Sequence, residues 1–247
     1  MWIMFSPEYL EYTLMGLILI PGIIYATIVS IKVNTTFSKY EKVVSSKNIT
    51  GAECVRRILE SQGIIGVTIQ KSDDTELVDN FNPQTNIITL SSKVYDSTSI
   101  SALGVAAHET GHAIQYAQEY KPMKVRTALV HVSNFMSYFV WPLVLIGIVL
   151  DFAYVGGLIG KAFLWAGVAF FGVSMLFSLV TLPVELNASK RALALLVSTG
   201  CVDEMEVKGA KKVLSAAAKT YVAALLVSIL QLVRFLLFFM AHSKRDD

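Results

Sequence analysis

Residues 99–120 read SISALGVAAHETGHAIQYAQEY, and this stretch decides how the rest of the chain is read. Ile100, Leu103, Val105 and Ala106 form an apolar side at helical spacing and Pro122 closes the pattern, so a helix is expected from Ser99 to about Tyr120. At its centre His108 and His112 flank Glu109, Thr110 and Gly111. On a helix, positions i and i+4 lie on one face about a turn apart, close enough for two imidazoles to share one metal ion. Zinc suits imidazole ligands, and a catalytic zinc keeps three protein ligands with water in the fourth position. Glu109, beside the first imidazole, is placed to accept that water's proton. The flanks Ser97-Thr98-Ser99 and Gln118-Glu119-Tyr120-Lys121 are too polar for a helix immersed in lipid.

Elsewhere the chain is far more apolar. Of its 247 residues 54% are hydrophobic and only 16% charged, above the apolar share of an ordinary soluble domain. Crossing a bilayer core takes roughly 20 helical residues. Four stretches qualify, at residues 12–31, 128–150, 158–182 and 221–241. The first is led by Glu8 and Glu11, where a signal peptide needs Lys or Arg, and reads as a retained anchor. Between the spans lie two polar portions, 33–127 with the motif helix and 183–220. The expected fold is therefore a mainly α membrane protein with four transmembrane helices and a small α+β cytoplasmic portion.

Lys32, Lys39, Lys42, Lys47, Arg56 and Arg57 follow the first span, and Lys121, Lys124 and Arg126 precede the second. By the positive-inside rule this portion is cytoplasmic and the amino terminus outside. The second and third spans form a hairpin through Asp151 to Gly157, returning the chain to the same side at Pro183, before Lys190, Arg191, Lys208, Lys211 and Lys212. Lys244 and Arg245 argue mildly against an outside tail. Net charge is +2, so nucleic acid is not an expected partner. Cys54 and Cys201 form no C-x-x-C pair and read as two free thiols. Gln231 and Arg234, inside the fourth span, are expected to face protein or water because charge in lipid is costly.

Within the first polar portion, Thr50 and Glu53 form a capping box that opens an amphipathic helix to about Ser61, stopped by Gly63. Val67 to Gln70 and Ile87 to Leu90 read as strands, with a turn at Asn82-Pro83-Gln84-Thr85-Asn86 before the second.

A third metal ligand is sought among His131, Asp151, Glu185 and His242. His131 lies inside the second span, Asp151 in the hairpin on the far face, and His242 beyond the last span. An even number of crossings separates His108 from Glu185, which leaves Glu185 as the carboxylate at the cytoplasmic mouth of a helix. Tyr95, Tyr116, Arg191 and Tyr221 are candidate donors to a developing oxyanion, and Asn187 is a candidate partner of the ligands.

The order of strand, H-E-x-x-H helix, two-span hairpin and then Glu185-Leu186-Asn187-Ala188-Ser189 resembles the gluzincin metallopeptidases of the HtpX type. It is more similar still to the bacterial neutral zinc metallopeptidases called YugP-like, over almost the whole chain. The resemblance implies a multi-pass bacterial membrane endopeptidase with one zinc ion per chain, Glu185 as third ligand, and unfolded or membrane polypeptides as substrates. It also implies an outer sheet strand, near Ile87 to Leu90, bordering the cleft. One departure stands out: HtpX-type chains carry Asp four residues after the ligand Glu, where this chain has Ser189.

Three rivals are weighed. An intramembrane site-2-type protease would place the motif within a spanning helix and carry a second L-D-G motif, which is absent here. A non-catalytic metal-binding scaffold would not need Glu109. A transporter would show repeats or paired broken helices.

Overall fold

The computed structural model describes residues 14–72, 79–152 and 157–243. The start of the first expected span, Glu8, Glu11, the middle of the hairpin at 153–156, Lys244 and Arg245 lie outside the described residues. The chain divides into two units, one of 1–28, 125–181 and 222–247, the other of 29–124 and 182–221.

Among the described residues four helices are long and apolar enough to cross a membrane. A short 3-10 turn, Leu17–Leu19, precedes helix α1, Ile20–Glu41. The other three are α5 (Lys121–Phe152), α6 (Gly157–Ser198) and α7 (Val207–Ser243). In the first unit Val140, Val144, Leu164, Val168 and Phe235 form a buried cluster. Small residues let these backbones approach: a Cβ on Gly147 would lie 2.5 Å from Leu164 Cγ, and one on Gly167 2.7 Å from Val144 Cγ2. Phe135, Tyr138, Trp141, Trp165 and Leu158 instead point outward. Such a large exposed apolar surface is stable only against lipid. Gln231 is buried, and a Cβ on Gly16 would come within 3.6 Å of the Arg234 guanidinium, so both polar residues face protein.

The second unit holds the remaining elements. Helix α2, Gly51–Ser61, begins where the Thr50 hydroxyl accepts the Glu53 amide. The Glu53 carboxylate does not complete the box and instead pairs with Arg56 and Arg57. Strands β1 (Thr68–Ser72), β2 (Asn80–Asn82) and β3 (Ile87–Ser91) form one sheet in the order β1-β3-β2, with β1 parallel and β2 antiparallel to β3. This corrects two expectations. β3 is the central strand rather than the outer one, and Asn82, assigned only to a turn, ends a third strand at the sheet edge. Asn86 remains in the turn with φ 57°, a left-handed conformation that Asn tolerates.

A single turn, α3 (Ser92–Tyr95), leads to the motif helix α4, Ile100–Ala117. Ser99 caps α4 by accepting the Ala102 amide. The helix ends at Ala117 rather than Tyr120, and Pro122 falls in the first turn of α5, where its missing amide costs no hydrogen bond. Fourteen of the eighteen residues of α4 are buried, because it lies between two apolar clusters. Val55, Ile88, Leu90, Val94 and Ala102 belong to one. Ile58, Leu103, Ile114, Leu196 and Leu214 belong to the other. Polar groups on so buried a helix must find partners inside the protein; Thr110 does so by donating to Ala106 O at 2.7 Å. Cys54 and Cys201, distant in sequence, are buried free thiols, with Cys201 Sγ 4.0 Å from Cys54 O.

Candidate metal centre

Helix α6 continues unbroken through Pro183, which carries Glu185 and Ser189 past the buried face of α4. Two small residues set the separation. A Cβ on Gly111 would lie 2.8 Å from Ala188 O and 3.2 Å from Ala188 Cα, contacts with backbone that no rotamer relieves. Gly111, between the two histidines, is therefore what lets Glu185 reach them. Gly111→Ala is expected to force the helices apart, at a cost of about 1–3 kcal/mol. Thermal unfolding and zinc titration of this variant should show lower stability and weaker binding together; wild-type values in both would refute the spacer role.

His108 Nε2 lies 3.1 Å and His112 Nε2 3.5 Å from the same atom, Glu185 Oε2. Zinc bonds of about 2.0–2.2 Å place tetrahedral ligand atoms roughly 3.3–3.6 Å apart, so these separations fit one ion. Among the described residues these three form the group able to hold a metal, with ligand atoms all within 4.8 Å. The two imidazole rings stand nearly edge to face, centroids 4.8 Å apart at 80°. Glu185 is 2% exposed and His112 6%.

The outer nitrogens are held too. His112 Nδ1 lies 3.0 Å from Gln115 Oε1, and the Gln115 amide nitrogen donates to Val184 O at 2.8 Å and to Asn187 Oδ1 at 3.0 Å. With its nitrogen committed, Gln115 presents an acceptor to His112. That fixes the tautomer with hydrogen on Nδ1 and leaves Nε2 for a metal. Ser189 Oγ lies 3.2 Å from His108 Nδ1. The serine at the position of the HtpX-type aspartate thus touches the first imidazole.

Sequence reasoning left Gln115 and Ser189 without assigned partners. Their signals were spacing alone: Gln115 stands three residues after His112 and Ser189 four after Glu185, each on the ligand's own helix face. Asn187 also accepts from Arg191 Nε at 2.7 Å, and Arg191 Nη1 donates to Gln118 Oε1 at 2.6 Å. Arg191, weighed as an oxyanion donor, and Asn187, weighed as a partner of the ligands, therefore belong to a chain of hydrogen bonds running to His112. Tyr116 is half-exposed, its ring 5.9 Å from that of Phe81. Tyr95 packs against the apolar cluster beside β3, and Tyr221 lies half-buried on α7.

Glu109 is 9% exposed. Burial pushes its carboxyl up to about 7; nearby His108 opposes this, Glu185 and Asp79 reinforce it, and the Phe81 amide offsets part by donating to it. Strand β2 is thereby tied to the site. Burial also acts on Glu185, but the two imidazoles of His108 and His112 at its Oε2 outweigh it and hold that carboxyl well below the usual carboxylate range. The two acids beside one another are thus split into a protonated and an ionised one near pH 6 in the metal-free protein.

A carboxyl raised from 4.5 to about 7 favours the folded state fully below about pH 4.5, and that margin is lost as pH rises through about 7. The margin is roughly 3 kcal/mol. Glu185 acts in the opposite sense, but its contribution is lost only in stronger acid, below this window. The melting temperature of metal-free protein is expected to fall from about pH 5 to about pH 8, and Glu109→Gln should flatten that slope. Identical slopes in both proteins would contradict the assignment.

Over residues 15–240 the chain matches the family described as "Putative neutral zinc metallopeptidase". The chain belongs to this family. It is 42% identical over 217 residues to the "Putative membrane protease YugP" of Bacillus subtilis (strain 168), an alignment covering 87% of this chain and 91% of that protein. No solved structure matches the chain. Membership in the zinc metallopeptidase family and four apolar helices make this a membrane protein in contact with a lipid bilayer. Zinc is the metal of this family, and His108, His112 and Glu185 are able to hold it.

Proposed function

We propose that the chain is a zinc-dependent endopeptidase of the H-E-x-x-H plus Glu, or gluzincin, type. His108, His112 and Glu185 are the ligands and Glu109 the general base. The observation that carries this reading is the convergence of two imidazole nitrogens on one carboxylate oxygen, with buried Glu109 on the same helix. Bound zinc would lower the pKa of a water and polarise the scissile carbonyl. The ionised Glu109 takes a proton from that water as its oxygen bonds to the carbonyl carbon. As the C–N bond breaks, Glu109 returns the proton to the departing amine nitrogen. His112, fixed by Gln115, and His108, touched by Ser189, stay in place throughout.

The substrate reading follows from the sheet. β2 is an edge strand, and its Phe81 amide donates to Glu109, so it borders the reacting groups. An extended peptide could add to such an edge by backbone hydrogen bonds, which favours unfolded segments and the loops or tails of membrane proteins. The positive-inside rule supports a cytoplasmic site and an outside amino terminus. The motif helix is not among the four membrane-length apolar helices, which favours this reading over an intramembrane site-2-type protease.

Metal removal tests the proposal. Purified full-length protein in mild detergent should bind about one zinc per chain, cleave an unfolded polypeptide, lose cleavage on chelation and regain it with zinc. Cleavage that persists after metal is stripped would refute it. Bound zinc with no cleavage of any unfolded or membrane polypeptide would favour the scaffold reading.

A further inference from the structure

Two lysine stripes face a common cavity of about 660 Å³ away from the metal centre. Lys32 and Lys39 line it from α1, and Lys208, Lys211, Lys212 and Lys219 from α7. Their spacing repeats at three, four or seven residues, so each set lies along one helix face. Thr36 and Ser215 line it as well. Among the described residues no carboxylate lines the cavity, and none of the six lysines makes an ion pair. Of the acids near in sequence, Glu206 accepts from Ser45 and the Ser46 amide and Asp203 pairs with Lys47, while Glu41 and Glu204 make no ion pair with the six lysines. The walls are brought together at Gly209, where a Cβ would come 2.8 Å from the Tyr40 ring.

This arrangement costs stability as it stands. Like charges three and four residues apart repel on a helix. Lys208, Lys211 and Lys212 also sit in the first two turns of α7, the end whose dipole disfavours cations. An anion in the cavity removes both penalties. The volume lies within the roughly 300–1,000 Å³ of small-molecule sites. The chain also indicates where the anion comes from. Residues 14–31 are uncharged up to Lys32, and residues 220–233 are uncharged directly after Lys219. The stripes therefore begin where two membrane-length helices turn from uncharged to cationic, the depth at which lipid phosphates lie.

We propose that this cavity is a binding site for the phosphate-bearing headgroup of an anionic phospholipid. A soluble phosphate offers the same chemistry, but the bilayer supplies a phosphodiester at high local concentration beside an apolar helix surface for its chains.

The test uses the full-length protein and measures retention of phosphatidylglycerol, with phosphatidylcholine and inorganic pyrophosphate as probes, by native mass spectrometry and by binding titration in mixed micelles. Wild type should retain phosphatidylglycerol in preference to phosphatidylcholine, less so as salt rises. Lys211→Gln should weaken binding about fivefold, and Lys208→Gln/Lys211→Gln/Lys212→Gln about 100-fold. The triple change to Arg should restore retention, and Lys93→Gln/Lys121→Gln, outside the cavity, should leave it unaltered. Equal retention by wild type and the folded triple Gln variant would overturn the proposal. So would displacement by pyrophosphate without any preference between the lipids, which would make the ligand a soluble phosphate. Neither outcome depends on peptidase activity.

Discussion

Glu109→Gln is expected to abolish peptide cleavage while leaving zinc in place. The substitution keeps the side chain's size and its hydrogen bond from the Phe81 amide, but removes the site that takes up a proton. General acid–base groups contribute roughly 10²–10⁴-fold in rate, and Glu109 is asked to act twice, on water and on the departing amine. A loss of about that size in kcat, with KM and bound zinc near wild type, is the expected pattern. Retention of cleavage within a few-fold would remove Glu109 from the reaction. Loss of zinc along with cleavage would make it a ligand.

Glu185→Ala is expected to fail in a different way. It deletes the oxygen on which both Nε2 atoms converge at 3.1 and 3.5 Å, so zinc affinity and cleavage should fall together. The fall should exceed the roughly 10–100-fold that follows loss of a group supporting a ligand. Gln115→Leu, which takes the acceptor from His112, supplies that milder reference in the same protein. Metal content by mass spectrometry and competition with a zinc chelator separate the two cases. Glu185→Ala that binds zinc as tightly as Gln115→Leu would exclude Glu185 as a ligand.

The pair of histidines was legible because one helix fixes their separation, and the period of an α-helix is known without any fold. The membrane helices were legible because hydropathy over twenty residues is a local sum. Glu185 is 73 residues beyond His112, and its approach depended on counting crossings rather than on pattern. What brings it close, Gly111 against the Ala188 backbone, is a contact between two helices that no local rule encodes. The sheet was read less well. Asn80–Asn82 is too short to show alternation, and its role as an edge comes from pairing with Ile87–Thr89, which only the fold reveals. Assigning the outer position to Ile87–Leu90 failed for the same reason: a strand buried on both sides and one at an edge look alike over four apolar or β-branched residues.

Ser189 and Gln115 have a consequence for how the centre handles charge. Both imidazoles lean on uncharged oxygens where a carboxylate would have pushed electron density through the ring toward the cation. The surrounding groups then quench less of the ion's double charge. A centre arranged this way should hold its metal more loosely than a carboxylate-backed one, exchange it more readily with other divalent ions, and attract small anions such as phosphinates and hydroxamates more strongly.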